Sequence, residues 1–307
     1  MYQDGKPYHS LNSYYQKKFG HKTVKLPLDG GFNCPNRDGK IATGGCIFCS
    51  AKGSGDFTPS RYLSITEQLQ ISKEKLLHKW QNPKYIAYFQ AFTNTYAPVS
   101  VLRTKYEEAL SDPEIIGLSI ATRPDCLDED VLELLEELTH KTSLCVELGL
   151  QTSNQDTAKA IHRGYENMVF EKAVHDLKER KIEVVVHVIL GLPNETKEDM
   201  RNTISYLNAL PIDGIKLQLL HVLKDTPLAE SYQNGDFTVL SKDAYIDILC
   251  SCIALLRPDI VIHRMTGDGP KESLLAPLWS LQKRDVLNSI HKELKLRNIS
   301  QGMNFKV

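Results

Sequence analysis

The sequence predicts an α/β fold in which a helix-covered parallel sheet curls into a partial (β/α)6-type TIM barrel with N-terminal and C-terminal extensions. Three observations support it. Seven near-continuous apolar segments recur along the chain, helical spacing separates them, and polar residues gather at their C-terminal ends. Strands buried on both faces read as unbroken apolar runs. A barrel turns the residues at its strand ends toward one face. No glycine-rich dinucleotide fingerprint follows a strand, which favours a barrel over a doubly wound sheet.

The elements follow in order. Residues 23–29 (TVKLPLD) form the first strand and lead into a glycine-rich loop. Helical spacing over 66–80 stops at Asn82-Pro83. KYIAYFQAF (84–92) is the second strand, and Ser100 can cap a helix running to about Leu110. IIGLSIAT (115–122) is the third, closed by Arg123-Pro124-Asp125 and followed by a helix over 128–140 with a leucine face. SLCVELGLQ (143–151) precedes a helical pair over 156–180. IEVVVHVILGLP (182–193) is the strongest strand signal, with a helix over 197–210 behind it. GIKLQLLHVL (214–223), a helix over 242–256 and DIVIHRM (259–265) complete the alternation, which ends in the turn 266–270. The expected divisions are an N-terminal extension (1–22), the barrel (23–265) and a basic C-terminal extension (266–307).

At 307 residues, 41% hydrophobic and 24% charged, the chain can bury one large core. Its net charge of -1 hides basic ends. Residues 1–25 carry Lys6, Lys17, Lys18, Lys22 and Lys25 against Asp4. The last 25 carry Lys283, Arg284, Lys292, Lys295, Arg297 and Lys306 against Asp285 and Glu293. If the termini meet, they offer a basic patch to a polyanion; the alternative is two solvated segments. No apolar run reaches membrane-spanning length and no signal-peptide core is present. The uneven, isolated cysteines do not form a secreted disulfide framework. The expected location is the cytoplasm.

Chemistry concentrates in the loop 30–54, GGFNCPNRDGKIATGGCIFCSAKGS. Cys34 is separated by eleven residues from Cys46, which forms a C-x-x-C pair with Cys49. A structural zinc site wants paired knuckles, and Cys126, Cys145, Cys250 and Cys252 form no second one. His21 is the alternative fourth zinc ligand. Three thiolates better suit a [4Fe–4S] cluster with one iron open to S-adenosylmethionine.

The cysteine pattern resembles the radical S-adenosylmethionine (SAM) superfamily, in the branch containing the Elongator catalytic subunit. CPNRDG, GGCIFC, YFQAFTNTYA, ATRPDC, ELGLQT, HRGY, HVILGLPNET and HRMTGDGP are similar to the YhcC/YtqA family, and within it the chain looks like the YtqA type. These segments run from Cys34 to Pro270. The resemblance implies that Cys34, Cys46 and Cys49 hold the cluster, with Phe48 against its edge. It places Gln90, Phe92, Thr93 and Asn94 at the methionine amino group, although the Gly-Gly-Glu of many members is missing. Thr122, Arg123 and Asp125 reach cofactor or substrate. Glu147 and Gln151 hold the ribose or methionine, with a structural ion pair as the alternative for Glu147. Arg163 pairs with the cofactor carboxylate, unless it is a surface arginine. Val188, Ile189 and Leu190 lie against adenine, although such an apolar run is mostly core. His187, His221, His263, Arg264 and Asp268 are the substrate candidates. Tyr88, Tyr96 and Tyr165 are candidates for stacking or hydrogen donation.

The implied activity is reductive cleavage of S-adenosylmethionine to a 5′-deoxyadenosyl radical. The implied substrate is tRNA, with the 5-carboxymethylaminomethyl group of wobble uridine converted to 5-aminomethyl. A reductant such as flavodoxin or ferredoxin, a downstream methyltransferase and the absence of a membrane partner complete the expectation. The rivals are a radical enzyme acting on a metabolite or protein, and a zinc-stabilised, non-catalytic RNA-binding protein.

Overall fold

The computed structural model describes residues 2, 4–76 and 79–306. In chain order the first elements are α1 (Leu11–Phe19), β1 (Thr23–Leu28), α2 (Ile65–Glu74), β2 (Lys84–Phe89), α3 (Val99–Leu110) and β3 (Ile115–Thr122). Next come α4 (Glu129–Thr139), β4 (Ser143–Gln151), α5 (Gln155–Ala160), α6 (Asn167–Glu179), β5 (Glu183–Leu190) and α7 (Lys197–Asn208). The chain closes with β6 (Gly214–Leu219), β7 (Val222–Leu223), α8 (Pro227–Asn234), α9 (Lys242–Leu255), β8 (Val261–Arg264), β9 (Leu274–Ala276) and α10 (Lys283–Leu296).

Seven strands form one parallel sheet in the order β1-β2-β3-β4-β5-β6-β8 and curl into a half-barrel. The runs read as strands are the ones that β-branched and aromatic side chains fill on both faces. Helix starts follow local chemistry. Ser64 with Glu67, and Thr196 with Asp199, form capping boxes that satisfy free N–H groups at the first turns of α2 and α7.

The sheet stays open, with β1 and β8 as its edges. At that seam the N-terminal segment covers the β8 edge: Ile262 donates its N–H to the His9 carbonyl at 2.7 Å, and α1 packs on both edge strands. The termini do meet. Gln301 donates to the Pro7 carbonyl at 2.8 Å and Tyr8 bonds His291 at 3.0 Å. One core runs from Tyr8 through the strands to Val286, Ile290, Leu294 and Ile299, across the expected divisions at 22/23 and 265/266.

Several expectations change. α1, α8 and α10 had no sequence assignment. α10 is amphipathic, with Val286, Ile290 and Leu294 buried at four-residue spacing under a charged face. Of the helix expected over 66–80, α2 accounts for Ile65–Glu74, while Leu77 and His78 lie outside the described residues. The strand expected over 214–223 breaks after Leu219, and its end becomes β7, paired antiparallel with β9. The strands expected to reach Phe92 and Pro193 stop at Phe89 and Leu190; Gly191, at a φ of 88°, turns the chain directly after β5, and Phe92, at 61°, turns it three residues after β2.

Candidate active site

The cysteine loop sits over the C-terminal ends of the strands, held by backbone and arginine contacts. Ile47 donates to the Ile161 carbonyl at 3.2 Å and accepts from Leu228 N–H at 3.0 Å. Cys49 closes a turn onto the Cys46 carbonyl at 3.0 Å. Arg37 donates to the carbonyls of Cys49 and Ser50 at 3.0 and 2.6 Å. Its guanidinium lies 5.5 Å from the Phe92 ring centre, and Arg61 lies 5.1 Å from the same ring. That ring covers Gly53, where a Cβ would come within 2.5 Å of it and where φ is +56°. The loop is therefore clamped to the end of β2.

Cys34, Cys46 and Cys49 line one cavity of about 270 Å³ with the ends of β2 to β6. None of the other four cysteines lines it; all four are buried elsewhere. Among the described residues no three His, Cys, Asp or Glu side chains are grouped to hold a single ion, whereas in an iron–sulfur cluster each thiolate takes its own iron. Burial pushes the Cys46 thiol up to about 12 and also raises Cys49, while Arg123 and Arg37 respectively oppose the shift. Asn36 points its amide N–H at the Cys46 sulfur, 3.5 Å away, and its own buried Oδ1 has no partner. Soft thiols, a nearby hydrogen-bond donor and cations that favour thiolates suit a cluster with three protein ligands.

The expected site residues separate into two groups. Phe48, Gln90, Phe92, Thr93, Thr122, Arg123, Gln151 and Ile189 line the cavity, as do His187, His221, Arg264 and Asp268. Asn94, Asp125, Val188, Leu190 and His263 do not line it. Asn94 is buried and ties the Phe89 and Ala121 carbonyls together at 3.1 and 2.8 Å. Asp125 holds Arg123 through two bonds of 2.9 and 2.7 Å. Val188 and Leu190 point into the core. His263 is half-buried, lines a neighbouring cavity, and keeps a buried Nδ1 without a partner.

Arg163 borders the cavity, but its guanidinium is used inside the protein. It donates to the carbonyls of Leu150, Thr152 and Tyr165 and to the side chains of Gln155 and Asn167, all at 2.8–3.1 Å. Only 1% of it is exposed. This corrects the expected open fork for a carboxylate, because the HRGY turn needs those donors to satisfy buried carbonyls. It also corrects the surface alternative.

Glu147 shows the ion-pair alternative. Fully buried, it accepts at Oε1 from Lys25 at 2.5 Å and Ser119 at 2.7 Å. At Oε2 it meets Lys216 and, at 2.6 Å, His187. These partners hold its carboxyl well below the usual range despite burial. Burial brings Lys216 down to about 7 and His187 to about 4. Lys25, counted among the basic residues of the N-terminus, thus points into the barrel. Lys216 was missed because a lysine inside GIKLQLL reads as an isolated polar position; its even spacing from Gln218 is the signal that puts both on one face.

Sequence comparison decides the family. The Radical SAM superfamily matches residues 36–207 and the Radical_SAM C-terminal domain matches 212–296. The chain belongs to the radical SAM superfamily. It is 47% identical over 301 residues to the uncharacterized protein YtqA of Bacillus subtilis, covering 98% of this chain and 94% of that one. To protein YhcC of Escherichia coli K12 it is 36% identical over 264 residues, covering 86% and 84%. Its fold matches the structure of the archaeal Methanocaldococcus infernus Elp3 with a TM-score of 0.68 at 14% identity. That match covers 92% of this chain and 64% of the Elp3 chain.

The cofactors of this radical SAM enzyme are a [4Fe–4S] cluster and S-adenosylmethionine. The cavity beside the three thiols offers polar groups suited to an amino acid and a ribose at Gln90, Thr93, Thr122 and Gln151. Ile189 adds an apolar wall. Among the described residues no helix is long and apolar enough to cross a membrane.

Proposed function

We propose that this radical SAM enzyme acts on tRNA, converting the 5-carboxymethylaminomethyl group of wobble uridine to 5-aminomethyl in the cytoplasm. The observation that supports it most is the connection between two cavities. The thiol-lined cavity shares Phe57, Tyr88, Gln90, Lys216, Arg264 and Asp268 with a larger one of about 750 Å³ at the seam between β1 and β8. That second cavity is edged by Lys6, Lys22 and Lys283 and by the half-exposed Phe57 and Trp80. Basic and aromatic rims suit an unstacked base and its phosphates.

Cys34, Cys46 and Cys49 would hold the cluster. Thr93, Thr122, Gln90 and Gln151 would bind the methionine and ribose of the cofactor, with Ile189 and Phe48 against its apolar faces. Bound together, cluster and S-adenosylmethionine supply one-electron cleavage of a sulfonium and abstraction of a hydrogen atom. The protein's own part is to hold substrate and cofactor together and to keep water from the interior, which the buried strands achieve. A flavodoxin or ferredoxin as electron source and a methyltransferase acting on the product are the partners of this reading.

The test is nucleoside mass spectrometry of tRNA from cells with and without the gene, joined to anaerobic reconstitution with dithionite. Loss of the 5-aminomethyl nucleoside in the deletion strain, and 5′-deoxyadenosine formation stimulated by hypomodified tRNA, are expected. Unchanged tRNA profiles would remove the substrate assignment.

A further inference from the structure

Where the two cavities meet, the described residues place more positive charge than the nearby acids neutralise. Lys216 on β6 and Arg264 on β8 are paired residues of neighbouring strands, so their side chains leave the sheet close together. Lys216 is 5% exposed. Its carboxylate partner, Glu147, is already paired with Lys25 at 2.5 Å. Arg264 reaches Asp268 only at 3.9 Å, and Asp268 is bound by Lys283 at 2.7 Å. Thus one buried carboxylate serves two lysines, and among the described residues the neighbouring guanidinium has no acid closer than 3.9 Å. The other neighbours, Tyr88 at 3.0 Å from the Lys216 amine, His187 on Glu147 and His263 beside Arg264, add no negative charge. Burying cations without counter-charge is costly.

Both cations face the place where the thiol-lined cavity meets the seam cavity. We propose that Lys216 and Arg264 form a receptor for an anionic group of the substrate, a carboxylate or a phosphate, at the junction of the two cavities. The anion supplies the missing counter-charge, and its charge-assisted bonds fix the attached carbon beside the cofactor space. The identity of the substrate rests on the function proposed above; the anion preference does not.

Three nucleosides distinguish the sources when titrated calorimetrically into the reconstituted protein with S-adenosylmethionine. 5-Carboxymethyluridine carries a carboxylate alone, uridine 5′-monophosphate a phosphate alone, and uridine neither. At least one anion is expected to bind about tenfold or more tightly than uridine, and whichever binds more tightly identifies the group. Arg264→Gln and Lys216→Met should each weaken that anion by about tenfold or more, with iron content and S-adenosylmethionine affinity retained. Arg264→Gln carries the test if Lys216→Met fails to fold, since Arg264 is partly exposed. Equal binding of all three nucleosides, no measurable binding of either anion, or wild-type anion affinity in Arg264→Gln would overturn the proposal. Unchanged tRNA profiles with intact anion binding would instead remove only the tRNA assignment.

Discussion

Two arginine environments in this barrel differ in one respect. Beneath the cysteine loop, Arg163 spends its donors on five protein partners, and Arg123 is held by Asp125 and by the Arg163 carbonyl at 2.9 Å. Across the barrel at the seam, Arg264 has one carboxylate at 3.9 Å and Lys216 shares its carboxylate with Lys25. Saturated cations build a scaffold, because removing them strands buried carbonyls. Under-neutralised cations beside a cavity keep their donors for something that arrives. A charged residue facing a cavity is therefore not by itself a ligand contact; the accounting of its donors decides.

The largest effect should come from the thiols that the scaffold side presents. Cys46→Ala with Cys49→Ala should lower reconstituted iron from about four per chain to near zero and remove the brown absorption. Retained iron in this variant would break the cluster assignment. Arg163→Met should be next, lowering unfolding free energy by about 3 kcal/mol or more without any ligand present, as read from denaturant midpoints. Wild-type stability there would mean that its guanidinium is free to bind a cofactor.

At the seam, Arg264→Gln should change stability by only about 0.5 kcal/mol. The same side has a pH signature. Burial lowers Lys216 to about 7, so its ammonium is lost as pH rises above that value. Glu147 and Lys25 stay charged and His187 stays neutral near pH 7, since these are shifted away from it. Anion affinity should therefore fall as pH rises above 7, by up to about tenfold per pH unit, in calorimetric titrations. A flat profile would assign the anion to Arg264 alone.

A second pH effect lies beside the scaffold. Thr152 donates to Glu195 at 2.5 Å, yet burial raises that carboxyl from 4.5 to about 7. The folded state then holds a proton that the unfolded state has released between those values. Stability is lost as pH rises from 4.5 to 7, and the full penalty remains above. Glu195→Gln should flatten that window and add about 1 kcal/mol above pH 7, as followed by thermal melts. An unchanged profile would show that the carboxyl is solvated.

The sequence was most informative where one residue's chemistry or one periodicity was enough. Seven apolar runs determine seven parallel strands, because a strand covered on both faces has no polar side to show. Cys34, Cys46 and Cys49 announce a soft metal site by residue type and spacing alone. The amphipathic pattern of α10 was also present, but its charges drew the eye to solvent and away from Val286, Ile290 and Leu294. What only the tertiary structure decided is how donors and charges pair across the barrel. Arg163 and Arg264 look alike as isolated letters, and Lys25 and Lys216 stand 191 positions apart yet meet on Glu147. Their roles depend on which acceptors lie within about 3 Å, and that distance is set by the folding of remote strands against one another.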